Sequence, residues 1–186
     1  MLPVYGLAEC AVGLTFSSLE REPVVDVIDR SALNTSGKAV PTDMAELDAV
    51  EVVGCGYPLP LHEVRIVDDR DSEVPERIQG RVQFRGPSST PGYFKASGKT
   101  RQLIRDGWHE TGDLGYIAGG QLFITGRSKD LVIRAGRNIH PMELESAVSQ
   151  CEGVRGGRVA AFGVPDTHSG TERLVLLVET LSLIHI

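Results

Sequence analysis

Little in this sequence suits a membrane, a nucleic acid or a disulfide framework. Its longest apolar stretches are too short to cross a bilayer, so no integral membrane segment is expected, and the N-terminus lacks a signal-peptide pattern. No block of lysines or arginines occurs. The formal net charge of -6 at pH 7 also argues against a nucleic-acid partner. Cysteine is scarce: Cys10, Cys55 and Cys151 are odd in number, far apart, and never in C-x-x-C spacing. That pattern excludes a zinc or disulfide scaffold and points to reduced thiols in a cytoplasmic protein.

What is present is an ordinary globular composition, 41% hydrophobic and 24% charged, over 186 residues. Such a length can bury one good core or two small ones. The 21 glycines and 10 prolines favour many turns and short strands over a helical bundle.

The most informative stretch runs from Gly126 to Glu145. A charged turn, Gly126-Arg127-Ser128-Lys129-Asp130, is followed by the short apolar strand Leu131-Val132-Ile133. A second glycine bend at Gly136 leads to Pro141, which suits the first position of a helix beginning Met142-Glu143-Leu144-Glu145. A polar, glycine-flanked turn between two structured regions is the place where a closing enzyme puts its hinge. Taken alone, the same residues fit a strand, a turn and a helix with solvated charges equally well.

Upstream, Tyr5-Gly6-Leu7-Ala8-Glu9 offers a ring to stack on a base, a glycine for close backbone approach and a carboxylate oxygen for magnesium. Val24 to Ile28 reads as a strand, and Asp43-Met44-Ala45-Glu46 as a capping box opening a brief helix. Glu63 to Asp68 and Arg81 to Gly86 alternate with period two, as antiparallel strands with one buried face do. Ala96 to Ile104 forms a short helical piece. Asp113, in Thr111-Gly112-Asp113-Leu114-Gly115, sits in a glycine-flanked bend where a carboxylate can accept two hydroxyl donors. Trp108 reads as structural, and His109 lacks the nucleophile and orienting partner that a catalytic base needs. Gln121 to Thr125 is a strand leading to the hinge, and Leu144, Ala147, Val148 and Cys151 mark one buried face of the final helix. Strands at 159–166 and 174–178 follow.

These segments, in this order, resemble the adenylate-forming superfamily of acyl-CoA synthetases, luciferases, nonribosomal adenylation domains and fatty acyl-AMP ligases. Tyr5 to Glu9 is similar to its Y-G-x-T-E motif, Val52 to Pro60 to its G-x-P-x-P segment, and Gly86-Pro87 through Gly92-Tyr93-Phe94 to its R-G-P…G-Y segment. The aromatics of that last segment are expected in the core. Thr111 to Gly115 resembles the ribose-binding T-G-D motif, and Gly126 to Glu145 the hinge. Ala8 replaces the usual phosphate-contacting threonine, and 46 residues separate Glu9 from Gly56. Both features are familiar from fatty acyl-AMP ligases, which carry an insertion in this interval, although a tolerated surface insertion would look alike.

The resemblance implies an α+β (mixed α/β) fold: the antiparallel, β-rich end of the AMP-binding large domain over 1–126, with an insertion at about 17–50. The hinge and the start of a small α+β lid domain would span 127–180. Leu181 to Ile186 resembles a translated sequencing adapter and reads as a non-native tail, so the chain is expected to be a piece of a longer protein and inactive by itself.

By resemblance, Glu9 holds Mg2+ and serves catalysis together with Arg127 and the pivot residue Lys129. Tyr5, Gly6, Ala8, Asp113, Ile124, Arg127, Arg134 and Gly136 contact the nucleotide or the thiol arm. The implied cofactors are ATP and Mg2+. The implied partners are a fatty acid and the phosphopantetheine of an acyl carrier protein, or CoA. An acyl-CoA synthetase, a nonribosomal adenylation domain and a non-catalytic binding remnant remain open as alternatives.

Overall fold

The computed structural model describes residues 2–134, 137–166 and 171–180. The chain divides into two compact units, one ending at Ser128 and the other beginning at Lys129.

The first unit opens with β1 (Val4–Tyr5), a short 3-10 turn (Ala8–Cys10) and β2 (Thr15–Phe16). β3 (Val25–Asp29), α1 (Arg30–Ser36) and β4 (Ala49–Val53) follow. Next come β5 (Tyr57–Pro58), β6 (Glu63–Val67), β7 (Gly80–Arg85), α2 (Ser97–Leu103) and β8 (Ile104–Arg105). The unit closes with β9 (Trp108–Ala118) and β10 (Gln121–Arg127). An antiparallel sheet in the order β10-β9-β7-β6, with β8 added to β9, forms its centre. A three-stranded sheet β1-β2-β5 and the pair β3-β4 complete it.

Alternating sequence in β6 and β7 buries Ile66, Val82 and Phe84, which pack with Leu122 or with Cys10 and Leu14. The interval 17–50 is not a loose surface loop. Ile28, Leu33 and Ala39 from it join Val52, Tyr116, Ala118 and Phe123 in one core cluster. Asp26 ties the same segment to the sheet: it accepts the Tyr116 hydroxyl at 2.7 Å and pairs with Arg77 at 3.0 Å.

The helix in that interval lies elsewhere than the sequence predicts. It spans Arg30–Ser36, with Asp29 Oδ1 accepting from the Ala32 amide at 2.8 Å and Gly37 closing it at φ 67°. Asp43 instead caps only its own turn, accepting from Ala45 N at 3.1 Å, because β4 starts at Ala49 and leaves a helix no room. Trp108 is half-buried with the guanidinium groups of Arg65 and Arg85 at 4.1 and 4.5 Å from its ring centre, a structural stack as expected.

In the second unit, β11 (Val132–Arg134) pairs with β12 (Arg137–Ile139), α3 spans Pro141–Ser149, and β13 (Val154–Asp166) pairs with β14 (Thr171–Thr180). Pro141 occupies the start of α3, where its missing N–H costs nothing. The expected buried face is only partly found. Leu144 and Val148 are half-buried, but Ala147 and Cys151 are exposed. The helix stops at Ser149, so Cys151 falls beyond the turn that would have placed it inside. Gly136 and the tail 181–186 lie outside the described residues.

Candidate functional site

Three predicted site residues meet in the first unit. Tyr5 ends β1, Asp113 lies in β9, and Arg127 closes β10 directly opposite Asp113 in the sheet register. The Tyr5 hydroxyl donates to Asp113 Oδ2 at 2.6 Å, and Arg127 Nε stands 3.4 Å from Asp113 Oδ1.

Asp113 is therefore not in a turn, as the flanking glycines suggested, but inside an eleven-residue strand. The glycine does matter there. Gly112 adopts φ 79°, and its carbonyl accepts both the amide and the hydroxyl of Ser128 at 2.9 Å. β10 carries its own irregularity between Ile124 and Gly126, which brings Arg127 into register with Asp113. Thr111 Oγ1 fixes the approach by accepting from the Asp113 amide at 3.0 Å.

The electrostatics follow from this packing. Burial, and then the hydrogen bond to the Asp113 carboxylate, hold the Tyr5 phenol well above its ordinary value. The phenol therefore stays neutral and donating. Asp113 keeps lone pairs beyond the two contacts it makes, enough for a pair of vicinal hydroxyls. Arg127 is 73% exposed against 15% for Asp113, so most of its fork of donors remains available.

Glu9 is half-buried on the 3-10 turn that follows β1, with Ala8 exposed beside it. Gly6 has a reason to be glycine that belongs to the fold: a Cβ there would lie 1.7 Å from the Val12 carbonyl oxygen. The turn ends in two left-handed residues, Ala11 at φ 53° and the β-branched Val12 at φ 75°, a strained closure. Ile124 is half-buried against Ile66, Val82 and Leu122.

Lys129 and Arg134 are exposed and belong to the second unit, Lys129 at its first residue and Arg134 at the end of β11. In that unit the β11 amide of Ile133 donates to Glu172 at 2.6 Å.

One residue was missed. The sequence reading put the aromatics of residues 86–94 in the core, but Tyr93 is 42% and Phe94 89% exposed. The Tyr93 hydroxyl donates to Glu9 Oε1 at 2.5 Å, across 84 positions of sequence. Nothing in the local pattern announces this, because it depends on where the 86–92 loop is pinned. His109, declined as a base, is buried and donates its Nε2–H to the Thr90 carbonyl at 2.8 Å.

A separate cleft of about 430 Å³, lined by Ser17, Glu20, Arg21, Tyr57 and Gln121 among others, contains none of the predicted site residues. It is lined largely by exposed side chains without a reactive pairing.

Among the described residues, no three His, Cys, Asp or Glu side chains gather into a metal site. A lone carboxylate does fit Mg2+, which is commonly held by one or two carboxylates together with substrate phosphates and water. Glu9, a hard oxygen donor anchored through one oxygen, is of that kind.

The chain resembles known proteins over nearly all of its length. The chain is 34% identical over 190 residues to the long-chain-fatty-acid–AMP ligase FadD26 of Mycobacterium tuberculosis, covering 95% of this chain and 31% of that protein. It is 38% identical over 125 residues to a long-chain-fatty-acid–CoA ligase of Escherichia coli, covering 67% of this chain and 22% of the relative. A solved structure from studies of fatty acyl-adenylate ligases of E. coli and L. pneumophila superposes with TM-score 0.86 at 34% identity, over 98% of this chain and 32% of that one. No protein-family model matches. The chain belongs to the adenylate-forming superfamily, and its mixed, strand-rich architecture is that of adenylation enzymes. It spans about a third or less of the length of the curated relatives it matches.

Proposed function

We propose that this chain is the nucleotide-contacting portion of an ATP-dependent fatty acyl-AMP ligase. The enzyme activates a fatty acid carboxylate by attack on the α-phosphate of ATP, giving acyl-AMP and pyrophosphate. The phosphopantetheine thiol of an acyl carrier protein then takes the acyl group, and AMP leaves. The observation that carries the reading is the meeting of Tyr5, Asp113 and Arg127 around one carboxylate. Asp113 would accept the ribose hydroxyls, Tyr5 would offer its ring to the base while its hydroxyl holds Asp113, and Arg127 would bind ribose or phosphate oxygens through its free donors. Glu9 would hold Mg2+, which when bound neutralises charge on the phosphates. Ala8, Gly6 and Ile124 would line the same approach.

In this reading the first unit is the end of the large AMP-binding domain and the second the beginning of the lid. Lys129, the first residue of the second unit, is the pivot. Arg134 would meet phosphate or the thiol-bearing second substrate. The burial of Ile28, Leu33 and Ala39 in a shared core cluster supports reading the 17–50 interval as the AMP-ligase insertion and not as a dispensable loop.

The test is product analysis with the intact enzyme: fatty acid, ATP and Mg2+, followed by either holo-carrier protein or CoA. Pyrophosphate release and an acylated carrier with no acyl-CoA are the expected products. Acyl-CoA as the main product moves the protein to the CoA-ligase branch, and absence of acyl-AMP removes the reading altogether.

A further inference from the structure

We propose that Tyr93 is a positioning residue for Glu9, held over it by a strap of residues 86–93, and that its hydroxyl sets how firmly the enzyme takes up the metal–nucleotide complex. The proposal rests on the role given to Glu9 above.

The strap touches the Glu9 turn three times. The Tyr93 hydroxyl donates to Glu9 Oε1 at 2.5 Å, the Thr90 amide donates to the Glu9 carbonyl at 2.8 Å, and Ser88 Oγ lies 3.1 Å from the Cys10 carbonyl. Side chain and backbone of one turn are thus gripped by one segment.

The strap is itself fixed from the other side. His62 Nε2 shares a 2.7 Å hydrogen bond with Ser88 Oγ. His109, buried in β9, donates to the Thr90 carbonyl at 2.8 Å. Gly86 lies flat on the His62 ring, where a Cβ would come within 2.2 Å of Cδ2. The Tyr93 amide donates to Thr100 Oγ1 at 2.9 Å, which anchors the far end to α2.

The ring of Tyr93 is 42% exposed, so burial does not account for its orientation, whereas the hydroxyl contact does. A free glutamate must give up side-chain rotamer freedom when it binds an ion. One whose Oε1 is already held loses less, and Oε2 remains for a hard cation. Partners that orient metal ligands in this way typically change affinity by roughly ten- to a hundredfold when removed.

The experiment is a titration of the intact enzyme with Mn2+, followed by electron paramagnetic resonance, in the presence of the α,β-methylene analogue of ATP, whose α–β bridge cannot be cleaved. Tyr93→Phe is expected to raise the Kd for Mn2+ about tenfold, the lower end of that range because the site is open. Glu9→Gln should raise it at least as much. The double variant should match Glu9→Gln alone, because the hydroxyl acts only through that carboxylate. Phe94→Ala, which alters the neighbouring exposed ring, should leave the Kd unchanged.

The inference falls if Tyr93→Phe binds Mn2+ like the parent while Glu9→Gln is weakened. Additive effects in the double variant, or an equal loss in Phe94→Ala, also overturn it, since either means that the hydroxyl is not acting through Glu9. If Glu9→Gln itself binds normally, the role of Glu9 in the proposed function fails first and takes the inference with it.

Discussion

Replacing Asp26 with alanine tests whether residues 17–50 are integral to the first unit. Asp26 Oδ2 accepts the hydroxyl of Tyr116, which is fully buried and stacks on Phe123 with ring centres 5.1 Å apart. It also pairs with Arg77, which further donates to the Ala39 carbonyl at 3.1 Å. Without the carboxylate the Tyr116 hydroxyl is left in the core with no acceptor, at a cost of about 1–3 kcal/mol. Arg77 is 38% exposed and can turn to water, so its lost pairing adds only about 0.2–1 kcal/mol. The expected destabilisation is therefore about 2–3 kcal/mol. Tyr116→Phe, which removes the hydroxyl but leaves Asp26 paired with Arg77, should cost only about 1 kcal/mol. Trp108 is the single tryptophan and lies in the first unit, so its fluorescence during urea unfolding reports on that unit alone. With a slope of about 2 kcal/mol per molar urea, the midpoint should fall by about 1–1.5 M for Asp26→Ala and about 0.5 M for Tyr116→Phe. If the order of the two is reversed, or Asp26→Ala leaves the midpoint in place, the segment is not held as described.

Further outcomes follow from single contacts. In the intact enzyme, Asp113→Ala should raise the KM for ATP about ten- to a hundredfold, the value of one lost charge-assisted hydrogen bond. An unchanged ATP dependence of acyl-AMP formation would remove Asp113 from the site. Gly6→Ala should lower the melting temperature by the equivalent of about 2 kcal/mol or more, because its Cβ meets the Val12 carbonyl, whereas Gly98→Ala, with open space around it in α2, should raise it slightly. Tyr5 and Tyr116 both have folded values raised above the ordinary phenol, chiefly by burial, so their contribution is intact below about pH 10 and is lost as pH rises further. Alkaline unfolding followed by circular dichroism should accordingly become shallower in Tyr5→Phe. His140 is buried just before α3 with its value lowered by desolvation, so the neutral ring is the folded form and stability is lost as pH falls below about 6.5. The protection of α3 amides relative to their intrinsic exchange rates should fall below that pH in the parent and not in His140→Gln.

Much of the fold was legible because it rests on patterns that local chemistry enforces. β6 and β7 appear where period-two alternation places them, and Pro141 starts α3 where its fixed φ and missing N–H are harmless. The failures share a cause. Asp43-Met44-Ala45-Glu46 has the letters of a capping box, yet the adjacent strand β4 takes the chain before a helix can propagate. Thr111 to Gly115 has the letters of a turn, yet ladder bonds to β7 and β10 hold it as strand and leave only Gly112 to absorb the kink. In each case long-range pairing overrode a local preference worth about 1 kcal/mol or less.

The site divides along the same line. Tyr5, Asp113 and Arg127 carry distinctive side chains within recognisable motifs; sheet register makes Asp113 and Arg127 antiparallel neighbours, and Tyr5 reaches Asp113 from another sheet through its hydroxyl. Tyr93 stands in a motif as well, but a pair of aromatics following a glycine reads as core. Whether its ring turns inward or its hydroxyl reaches Glu9 is decided by His62 just before β6, His109 in β9 and Thr100 in α2, which fix the loop from outside. A residue whose function lies in holding another is specified by the contacts of its own support. It therefore becomes visible only once those contacts are, which makes Tyr93 the sharper test of the structure and Asp113 the sharper test of the family assignment.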